Sequence, residues 1–378
     1  MHVLLLTDSY PNAYLQGQGS FVRDQALCLA SHGMQVGVIA IIPISWSNLL
    51  KTGFGGLGET SKKDQGVSLH QCCYAQVPKL YRYPIWRSLF SGKRMMQRYI
   101  TECGKPDVIH VHGFHSAALA LWAAKEMNVP LVVTEHNSRV LAGTLDAARL
   151  KWAVNLYSNA NVCIAVSHAL ARRLETFSAR TVEVVPNVVD TTLFTPGQPA
   201  HDCVFLSAGN FTSNKNQLLQ LESFHRSLDQ MPEARLWLVG DGETLEQCKR
   251  YVSEHGLDSR VTFLGRLTRE ELALRMQQAR VFLISSNHET FGVVAIEAMS
   301  CGLHVISTRC GGPEDTLAEF GTLTANDSAA FSAAMCEVYH RRMEFPSVHL
   351  HEHAAKHFGF AAVAGRLERL YSQVINQS

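Results

Sequence analysis

Short apolar segments alternate with stretches of helical length along the whole chain, and this alternation restricts the fold more than any other feature. In the first half, the apolar segments lie at 3–6, 35–41, 108–112, 131–134, 162–165 and 182–185, with helical-length stretches at 21–31, 115–127 and 144–159. Strands that are apolar on both faces are typical of a parallel sheet covered by helices on each side. We therefore predict an α/β fold.

The same alternation restarts in the second half of the chain. Apolar segments recur at 204–208, 235–239, 261–264, 281–284 and 304–307, with helices predicted from about Asn216, from Glu243 and through Glu297. Between the halves, residues 186–199 contain Pro186, Pro196, Gly197 and Pro199, which are typical of a linker.

A chain of 378 residues is long enough for two such domains. We predict two Rossmann-like domains, 1–187 and 188–359, with a helix at about 360–378 returning to the first. Open parallel sheets bind ligands at the carboxyl ends of their strands, so we expect the site in the cleft between the domains.

The composition indicates a globular protein with no overall attraction for polyanions. Hydrophobic residues make up 46% of the chain, charged residues 18%, and the formal net charge is +1. The first residues lack the features of a signal peptide, and the longest apolar run, 34–44, is too short to span a bilayer. Ten scattered cysteines suit a reducing compartment. We predict a cytoplasmic protein that binds no nucleic acid.

Two glutamates in one segment are the strongest candidates for chemistry. A helix beginning near Phe291 and Gly292 places Glu289 and Glu297 on similar faces, roughly 12 Å apart along the helix axis. That distance matches the reach of a nucleotide sugar from its hexose to its ribose, with a helix N-terminus between them for the diphosphate. The alternative from the residues alone is an amphipathic helix with two solvated glutamates.

The segment around these glutamates resembles the signature of the retaining family 4 glycosyltransferases, also described as glycosyl transferases group 1. The pair Glu289 and Glu297 is followed by Ala-Met-Ser-Cys-Gly at 298–302 and by Gly-Gly-Pro-Glu at 311–314. Weaker matches cover nearly the whole chain, at 107–112, 134–136, 185–190, 238–242, 263–265 and the helix predicted from Phe358 to Ile375. The resemblance implies a GT-B fold, in which two Rossmann-like domains face each other across a cleft.

The resemblance also implies roles for individual residues. Catalytic roles fall to His136, Lys215 and Glu289. Glu289 would hold the hydroxyls of the donor sugar and Glu297 those of the ribose. Lys215 would neutralise the donor phosphates as charge develops on the leaving group, and His136 would lie near the transferred sugar.

Further donor-binding residues follow from the same resemblance. Gly17 and Gly19 would let backbone amides approach the diphosphate. The family often has arginine at the position of Asn210, which carries no charge, so phosphate neutralisation would depend more on Lys215. The complete predicted donor set is Gly17, Gly19, Asn210, Lys215, Gly240, Arg266, Glu289, Phe291, Gly292, Val293 and Glu297.

The activity that this implies is transfer of a hexose-type sugar, with retention of configuration, from a nucleotide sugar to a saccharide or lipid-linked acceptor in polysaccharide or glycolipid biosynthesis. We favour a UDP-sugar over a GDP-sugar, and expect no cofactor and no metal, since no Asp-x-Asp motif occurs. Two alternatives remain open at this point. A catalytically weak, donor-binding regulatory subunit is supported by Asn210, and a dinucleotide-dependent oxidoreductase would share the Rossmann alternation.

Three other features have a less specific interpretation. The glycines of 53–58 fit G-x-G-x-x-G, but no strand is predicted before them and no helix after them; we interpret them as a flexible acceptor-side loop. His353 and His357 have metal-chelating spacing, but nothing completes a site, so we interpret 349–357 as a solvated surface stretch. Among His110, His112 and His115 we expect at most one to face the cleft.

A basic and aromatic segment, 79–100, is the remaining candidate. It contains no acidic residue, and its cations are Lys79, Arg82, Arg87, Lys93, Arg94 and Arg98. Such a composition suits an anionic membrane surface or a lipid-diphosphate acceptor, and would hold the protein peripherally at the inner face of the membrane. A solvated helix with its apolar side in the core explains the segment equally well.

Overall fold

The computed structural model describes residues 1–15, 17–77, 83–177, 181–198, 203–317, 320–341 and 347–377, without the side chains of 83–87. The chain divides into two compact units, here called unit 1 (Met1–Val188 with Phe360–Ser378) and unit 2 (Val189–Gly359). The division falls within the stretch interpreted as a linker, where Val188 and Val189 are nevertheless buried.

Unit 1 is built on an eight-stranded sheet. Its strands are β1 (His2–Thr7), β2 (Gln35–Ile44), β3 (Gly58–Asp64), β4 (Val67–Ala75), β5 (Val108–His112), β6 (Leu131–Glu135), β7 (Val162–Ala165) and β8 (Val182–Val184). The helices between them are α1 (Ser20–Ser31), α2 (Trp46–Thr52), α3 (Tyr83–Cys103), α4 (Ala117–Met127), α5 (Ser138–Ala142), α6 (Ala147–Asn159) and α7 (His168–Glu175).

Unit 2 is built on a six-stranded sheet. Its strands are β9 (Val204–Ala208), β10 (Arg235–Val239), β11 (Val261–Gly265), β12 (Val281–Ile284), β13 (His304–Thr308) and β14 (Gly321–Thr324). Its helices are α8 (Gln217–Ser227), α9 (Leu245–Glu254), α10 (Arg269–Gln278), α11 (Val293–Ser300), α12 (Pro313–Leu317), α13 (Ser328–Arg341) and α14 (Ser347–Phe358). The chain then returns to unit 1 as α15 (Phe360–Asn376), which packs on α1 through Val363, Leu367 and Tyr371.

The strand order of each sheet indicates where a ligand site is expected. The order is β3-β4-β2-β1-β5-β6-β7-β8 in unit 1 and β11-β10-β9-β12-β13-β14 in unit 2. All neighbours pair in parallel except β3, which runs antiparallel to β4. The order reverses between β1 and β5 and between β9 and β12, and open sheets of this kind bind ligands at such switch points.

The edge of the unit 1 sheet differs from the sequence prediction. Residues 58–64 form β3, although this stretch is polar throughout and almost entirely exposed. An exposed edge strand has no buried face, so it lacks the apolar alternation by which strands are recognised. Backbone pairing with β4 sets its register, from Gly58 opposite Cys73 to Asp64 opposite Val67.

Three predicted helices also have different bounds. The helix predicted over 144–159 is α6, which begins at Ala147, and a separate short helix, α5, precedes it and ends at a left-handed turn at Gly143. The helix predicted from Phe358 is broken at Gly359, so that Phe358 ends α14 and α15 begins at Phe360. The stretch 115–127 starts with a 3₁₀ turn at Phe114–Ser116 before α4.

Candidate functional site

The loops after β9 and β12 are joined by a set of hydrogen bonds at the switch point of unit 2. The side-chain amide of Asn214 donates to the carbonyl of His288 at 3.0 Å, and its oxygen accepts from the His288 amide at 3.1 Å. The amide of Asn287 donates to the carbonyl of Asn214 at 2.8 Å. These bonds fix the two loops side by side, which sets the position of the charged residues that follow.

Lys215 and Glu289 form an ion pair at this junction. The Lys215 ammonium donates to Oε2 of Glu289, and the hydroxyl of Ser286 donates to the same oxygen at 3.3 Å. The side chains are 31% and 15% exposed, respectively, so both still reach solvent. The structure therefore brings together the two unit 2 residues predicted to be catalytic.

The backbone of Glu289 is held by the segment after β13. Its amide donates to the carbonyl of Cys310 at 2.8 Å, and its carbonyl accepts from the amide of Gly312 at 2.6 Å. A Cβ on Gly312 would lie 2.3 Å from Cα of Phe291, so only glycine permits this approach. The matched Gly-Gly-Pro-Glu segment thus positions Glu289 and Phe291.

A helix N-terminus follows directly. Gly292 has a φ of 82° and is the N-cap of α11, whose first residue is Val293. The N-cap Gly292 has no side chain to cap the helix, and a Cβ on it would lie 3.4 Å from Cγ of Glu289. Free N-terminal amides favour an anion, although this helix is short.

The loop after β10 approaches the same region through glycines. A Cβ on Gly240 would lie 2.0 Å from the carbonyl oxygen of Gly209, so the loops after β9 and β10 touch at backbone level. Asn210 is exposed, and its carbonyl accepts from the side chain of Gln217 at 3.1 Å. Arg266 lies 3.6 Å from Asp241, and both side chains are exposed. A small pocket beside these loops is lined by Lys215, Ser286 and Val294, among others.

Glu297 has a partner that the sequence interpretation did not include. Nη2 of Arg269, at the start of α10, lies 3.1 Å from Oε1 of Glu297, and Glu297 is only 5% exposed. The Arg269 guanidinium also lies over the ring of Phe194 at 5.3 Å. Glu297 is therefore a buried, charge-paired carboxylate and not a solvated surface residue.

Three histidines stack at the switch point of unit 1. His110 and His112 of β5 have ring centroids 4.5 Å apart, and His112 is 5.3 Å from His136, with Nδ1 of His112 sharing a hydrogen bond with Nε2 of His136 at 3.0 Å. His110 is satisfied by Tyr371 at 2.6 Å and Thr134 at 2.7 Å, as expected for a structural histidine.

The electrostatics of this stack favour neutral rings. Burial lowers the pKa of His112 to about 3. Burial, and to a smaller extent the nearby His112, holds the pKa of His136 well below its ordinary value. His115 is exposed and lies 3.3 Å from Asp8.

A buried carboxylate fixes the turn that carries His136. Oε1 of Glu135 accepts from the amides of His136 at 2.8 Å and Asn137 at 2.7 Å, and Tyr157 donates to Oε2. Burial raises the pKa of Glu135 above its ordinary value, and the hydrogen bond from Tyr157 offsets only part of that rise. Glu135 is thus a positioning residue that the sequence interpretation missed.

The two glycines after β1 have different environments. Gly19 has a φ of 72°, and a Cβ there would lie 2.3 Å from the carbonyl of Ser9. Gly17 is exposed, and a Cβ there would meet no atom within 4 Å. Gly19 is needed for the fold of the loop, whereas Gly17 is free to face a ligand.

The glycine motif of 53–58 and the histidines of 349–357 both have structural explanations. The glycines of 53–58 follow a helix, α2, and precede a strand, β3, which is the reverse of the dinucleotide-binding order. Residues 349–357 lie on α14, where Nδ1 of His351 donates to the carbonyl of Ser300 at 2.7 Å and His353 packs 4.2 Å from Phe320. Two of these histidines are therefore packed and not simply solvated. Within the described ranges, no group of three or more His, Cys, Asp or Glu is placed to hold a metal ion.

Several cations of the 79–100 segment have partners inside unit 1. Arg94 pairs with Glu59, Arg98 lies 2.7 Å from Glu102, and Lys93 lies 4.5 Å above the ring of Trp122. Lys79 and Arg82 lie outside the described residues, as does the side chain of Arg87.

Of the helices that the structure describes, none combines the length and apolar character that crossing a membrane requires.

Functional residues missed from the sequence are mainly those that hold others in place. Asn214 joins the two loops, Glu135 fixes the His136 turn, and Arg269 pairs with Glu297. A signal existed for the helix of Arg269, because Thr268 and Glu271 form a capping box at its start. No local signal indicates which distant residue each side chain contacts.

Two family models match the chain over adjoining ranges. One, described as Glycosyltransferase Family 4, matches residues 15–193, and the other, Glycosyl transferases group 1, matches residues 190–354. Together they cover residues 15–354 and include every residue of the predicted site.

Similar proteins with described activities are 25–29% identical to this chain over the aligned residues. The phosphatidylinositol N-acetylglucosaminyltransferase gpi3 subunit of Schizosaccharomyces pombe is 25% identical over 81% of this chain and 69% of its own length. D-inositol 3-phosphate glycosyltransferase of Mycolicibacterium smegmatis is 26% identical over 95% and 87%. GDP-mannose:cellobiosyl-diphosphopolyprenol alpha-mannosyltransferase of Xanthomonas campestris is 29% identical over 63% and 62%.

Solved structures match over the full chain. Sucrose-phosphate synthase from Thermosynechococcus elongatus superimposes with a TM-score of 0.79 at 22% identity, covering 100% of both chains. Anabaena HepE in complex with UDP and glucose gives 0.74 at 17% identity, covering 98% of this chain and 99% of its own. These likenesses confirm the predicted GT-B fold. Together with the two family models, they establish that the chain is a GT-B glycosyltransferase of family 4, a family of retaining enzymes that transfer a sugar from a nucleotide-sugar donor.

Proposed function

We propose that this enzyme transfers a hexose-type sugar from a nucleotide sugar to a saccharide or lipid-linked acceptor, in polysaccharide or glycolipid biosynthesis. The observation that carries the proposal is the ion pair of Lys215 and Glu289 at the switch point of unit 2. It supports the proposal because a cation, which would neutralise phosphate, and a carboxylate, which would bind sugar hydroxyls, lie side by side close to the start of α11.

The chemistry follows from these groups. The bond between the anomeric carbon and the diphosphate oxygen breaks, and its electron pair leaves with the nucleoside diphosphate. Lys215 stabilises the growing negative charge on that leaving group. The acceptor oxygen bonds to the same face of the anomeric carbon, and its proton passes to a departing phosphate oxygen. No enzymic nucleophile is needed, and Glu289 orients the sugar through its hydroxyls.

The donor nucleotide would extend from this pair along α11. Glu297 lies on the same helix, in its second turn, and we assign it to the ribose hydroxyls. The guanidinium of Arg269 supplies the positive charge that a buried carboxylate needs beside it. An ionised Glu297 accepts hydrogen bonds from two adjacent hydroxyls.

The acceptor is proposed from the relatives and not from the site. Phosphatidylinositol and a diphosphopolyprenol stand in the names of two relatives, and an inositol phosphate in a third. We favour a lipid-linked acceptor, with unit 1 as the acceptor-binding unit and the cytoplasm as the compartment. Membrane contact through 79–100 stays a prediction, and pairing of Arg94 and Arg98 with glutamates leaves those cations less available to lipid.

Screening of UDP-, GDP- and ADP-sugars by thermal shift and hydrolysis tests the proposal. A donor at 100 times its dissociation constant stabilises the protein by about 2.7 kcal/mol, and we expect one class of donor, the UDP-sugars, to do so and to be hydrolysed slowly. Stabilisation without turnover in any acceptor mixture would favour the alternative of a regulatory subunit, for which the uncharged Asn210 is the supporting feature. The proposal would be contradicted if no donor stabilised the protein and none were turned over.

A further inference from the structure

Three large apolar side chains lie exposed on one short segment of unit 1. Trp46 is 45% exposed, Leu50 77% and Phe54 52%. Trp46 and Leu50 are four residues apart on α2 and so share a face, and the rings of Trp46 and Phe54 meet edge to face at 6.2 Å. We call these three residues the apolar tip. Single exposed apolar residues are common, whereas a contiguous group indicates a binding surface.

The apolar tip is held in place by the rest of unit 1. Leu49, on the opposite side of α2, is fully buried. The hydroxyl of Ser45 caps the start of the helix, and the amide of Gly56, in the turn after it, donates to the Tyr14 hydroxyl at 2.9 Å. The exposure therefore belongs to an anchored segment and is not the result of a frayed one.

The charge around the apolar tip favours an anionic surface. Residues 44–58 contain no aspartate or glutamate and one cation, Lys51, which is exposed. Lys62 and Lys63, on the adjoining β3, are also exposed, whereas the two acidic residues of that strand, Glu59 and Asp64, are paired with Arg94 and Arg23. Tryptophan beside lysine is typical of the interfacial region of a bilayer, where the ring meets headgroups and the ammonium meets phosphates.

The size of the apolar tip argues against a second copy of the chain as its partner. Aromatic side chains bury about 150–250 Å² each, so three side chains exposed by roughly half offer about 300 Å². A stable protein interface buries about 800 Å² on each partner. A lipid surface needs no complementary shape and accepts so small an insertion.

We propose that the apolar tip docks unit 1 on the interface of an anionic phospholipid bilayer. Trp46, Leu50 and Phe54 enter the headgroup region, and Lys51 contacts lipid phosphates. The segment follows the carboxyl end of β2, the same edge of the sheet as His112 and the loop of Gly19. The inference rests on the lipid-linked acceptor proposed above, since docking at this edge would bring the carboxyl ends of the unit 1 strands, in the proposed acceptor-binding unit, to a membrane-bound substrate.

Co-sedimentation of the full-length protein with phosphatidylcholine–phosphatidylglycerol vesicles tests this inference. Replacing the apolar tip by serine (W46S, L50S, F54S) should lower the vesicle partition coefficient at least about tenfold. The matched control, L274S with V348S, removes two apolar residues of unit 2 that are each 58% exposed, and should bind as the parent does. Trp46→Phe should keep binding but lose the part of the vesicle-induced shift in tryptophan emission that Trp46 provides.

Three results would overturn the inference: no binding by the parent, equal binding by the serine variant, or a parent dimer that the serine variant dissociates. Donor hydrolysis without vesicles is measured on the same proteins. Vesicle binding with no donor turnover would count against the proposed function alone. Donor turnover with no vesicle binding would count against the docking surface alone.

Discussion

The ammonium group of Lys215 donates a hydrogen bond to the carboxylate of Glu289, although 74 residues separate them along the chain. The contact exists because β9 and β12 are neighbours in the sheet and the loops after them are joined through Asn214. A cation and a carboxylate at the switch point of the sheet form the part of the site on which the proposed chemistry depends most.

Replacing Lys215 by alanine should lower turnover about 10²–10³-fold, as expected for the loss of one preorganised electrostatic stabiliser. The donor dissociation constant should rise by a smaller factor, because charge on the leaving group grows toward the transition state. Steady-state hydrolysis and calorimetry measure the two quantities. Lys249→Ala is the control, since Lys249 forms an exposed ion pair with Glu246 in the same unit. A raised donor dissociation constant with unchanged turnover at saturating donor would mean that Lys215 only binds the donor.

Replacing Glu297 by alanine should weaken binding of the free nucleoside diphosphate by roughly 1.5–3 kcal/mol, the range for a hydrogen bond to a charged group. Glu289→Ala should leave that binding nearly intact while reducing turnover. Arg269→Met separates the ribose role from the ion pair, because it removes the partner of Glu297 but not its carboxylate. If both Glu297→Ala and Arg269→Met lower thermal stability and neither changes nucleotide affinity, Glu297 has a structural role only.

The glycines after β1 provide a matched pair. Gly19→Ala should destabilise the protein, because its φ is 72° and a Cβ would meet the carbonyl of Ser9. Gly17→Ala should leave the melting temperature unchanged, since a Cβ there meets nothing within 4 Å. If Gly17 faces the diphosphate, the same substitution should reduce turnover. Unchanged kinetics for Gly17→Ala would remove it from the predicted donor set.

Much of the fold was predictable because buried parallel strands are apolar on both faces. The segments 162–165, 204–208, 235–239 and 281–284 coincide with strands of the structure. The exposed edge strand β3 was missed for the opposite reason: with neither face buried, its sequence shows no apolar alternation. The buried strand β4 was missed as well, because the buried polar residues Ser68, His70 and Gln71 interrupt its apolar residues. Apolar periodicity reports burial, so it identifies only those strands that are buried.

The sequence proposes members of the candidate site, whose roles stay predictions, but it does not indicate their contacts. The spacing of Glu289 and Glu297 and the resemblance of their segment identified both carboxylates. The pairing of Glu297 with Arg269 could not be inferred, because it depends on how α10 and α11 pack. Long-range side-chain contacts follow from tertiary packing, for which the local sequence carries no signal.

Stability should fall as the pH is lowered from 7 toward 4. The folded-state pKa of His112 is about 3, below its ordinary value of 6.5, so the unfolded chain binds more protons between these values. The stabilisation is complete above the unfolded pKa and is lost as the pH falls toward the folded one. Urea unfolding at several pH values measures it. His112→Phe keeps a ring in the stack and should show a flatter pH dependence than the parent, the difference isolating His112 from His304, whose pKa burial lowers to about 4. Identical slopes would place the effect elsewhere.

Proton NMR of donor turnover tests the central claim most directly. The protein is mixed at high concentration with the nucleotide sugar that stabilises it most, and the anomeric signals are followed before the released sugar mutarotates. We predict that the first free sugar, or the first glycoside when an acceptor is supplied, has the anomeric configuration of the donor, and that Lys215→Ala slows its appearance. A first product with the opposite configuration would contradict the account, whatever the variants show.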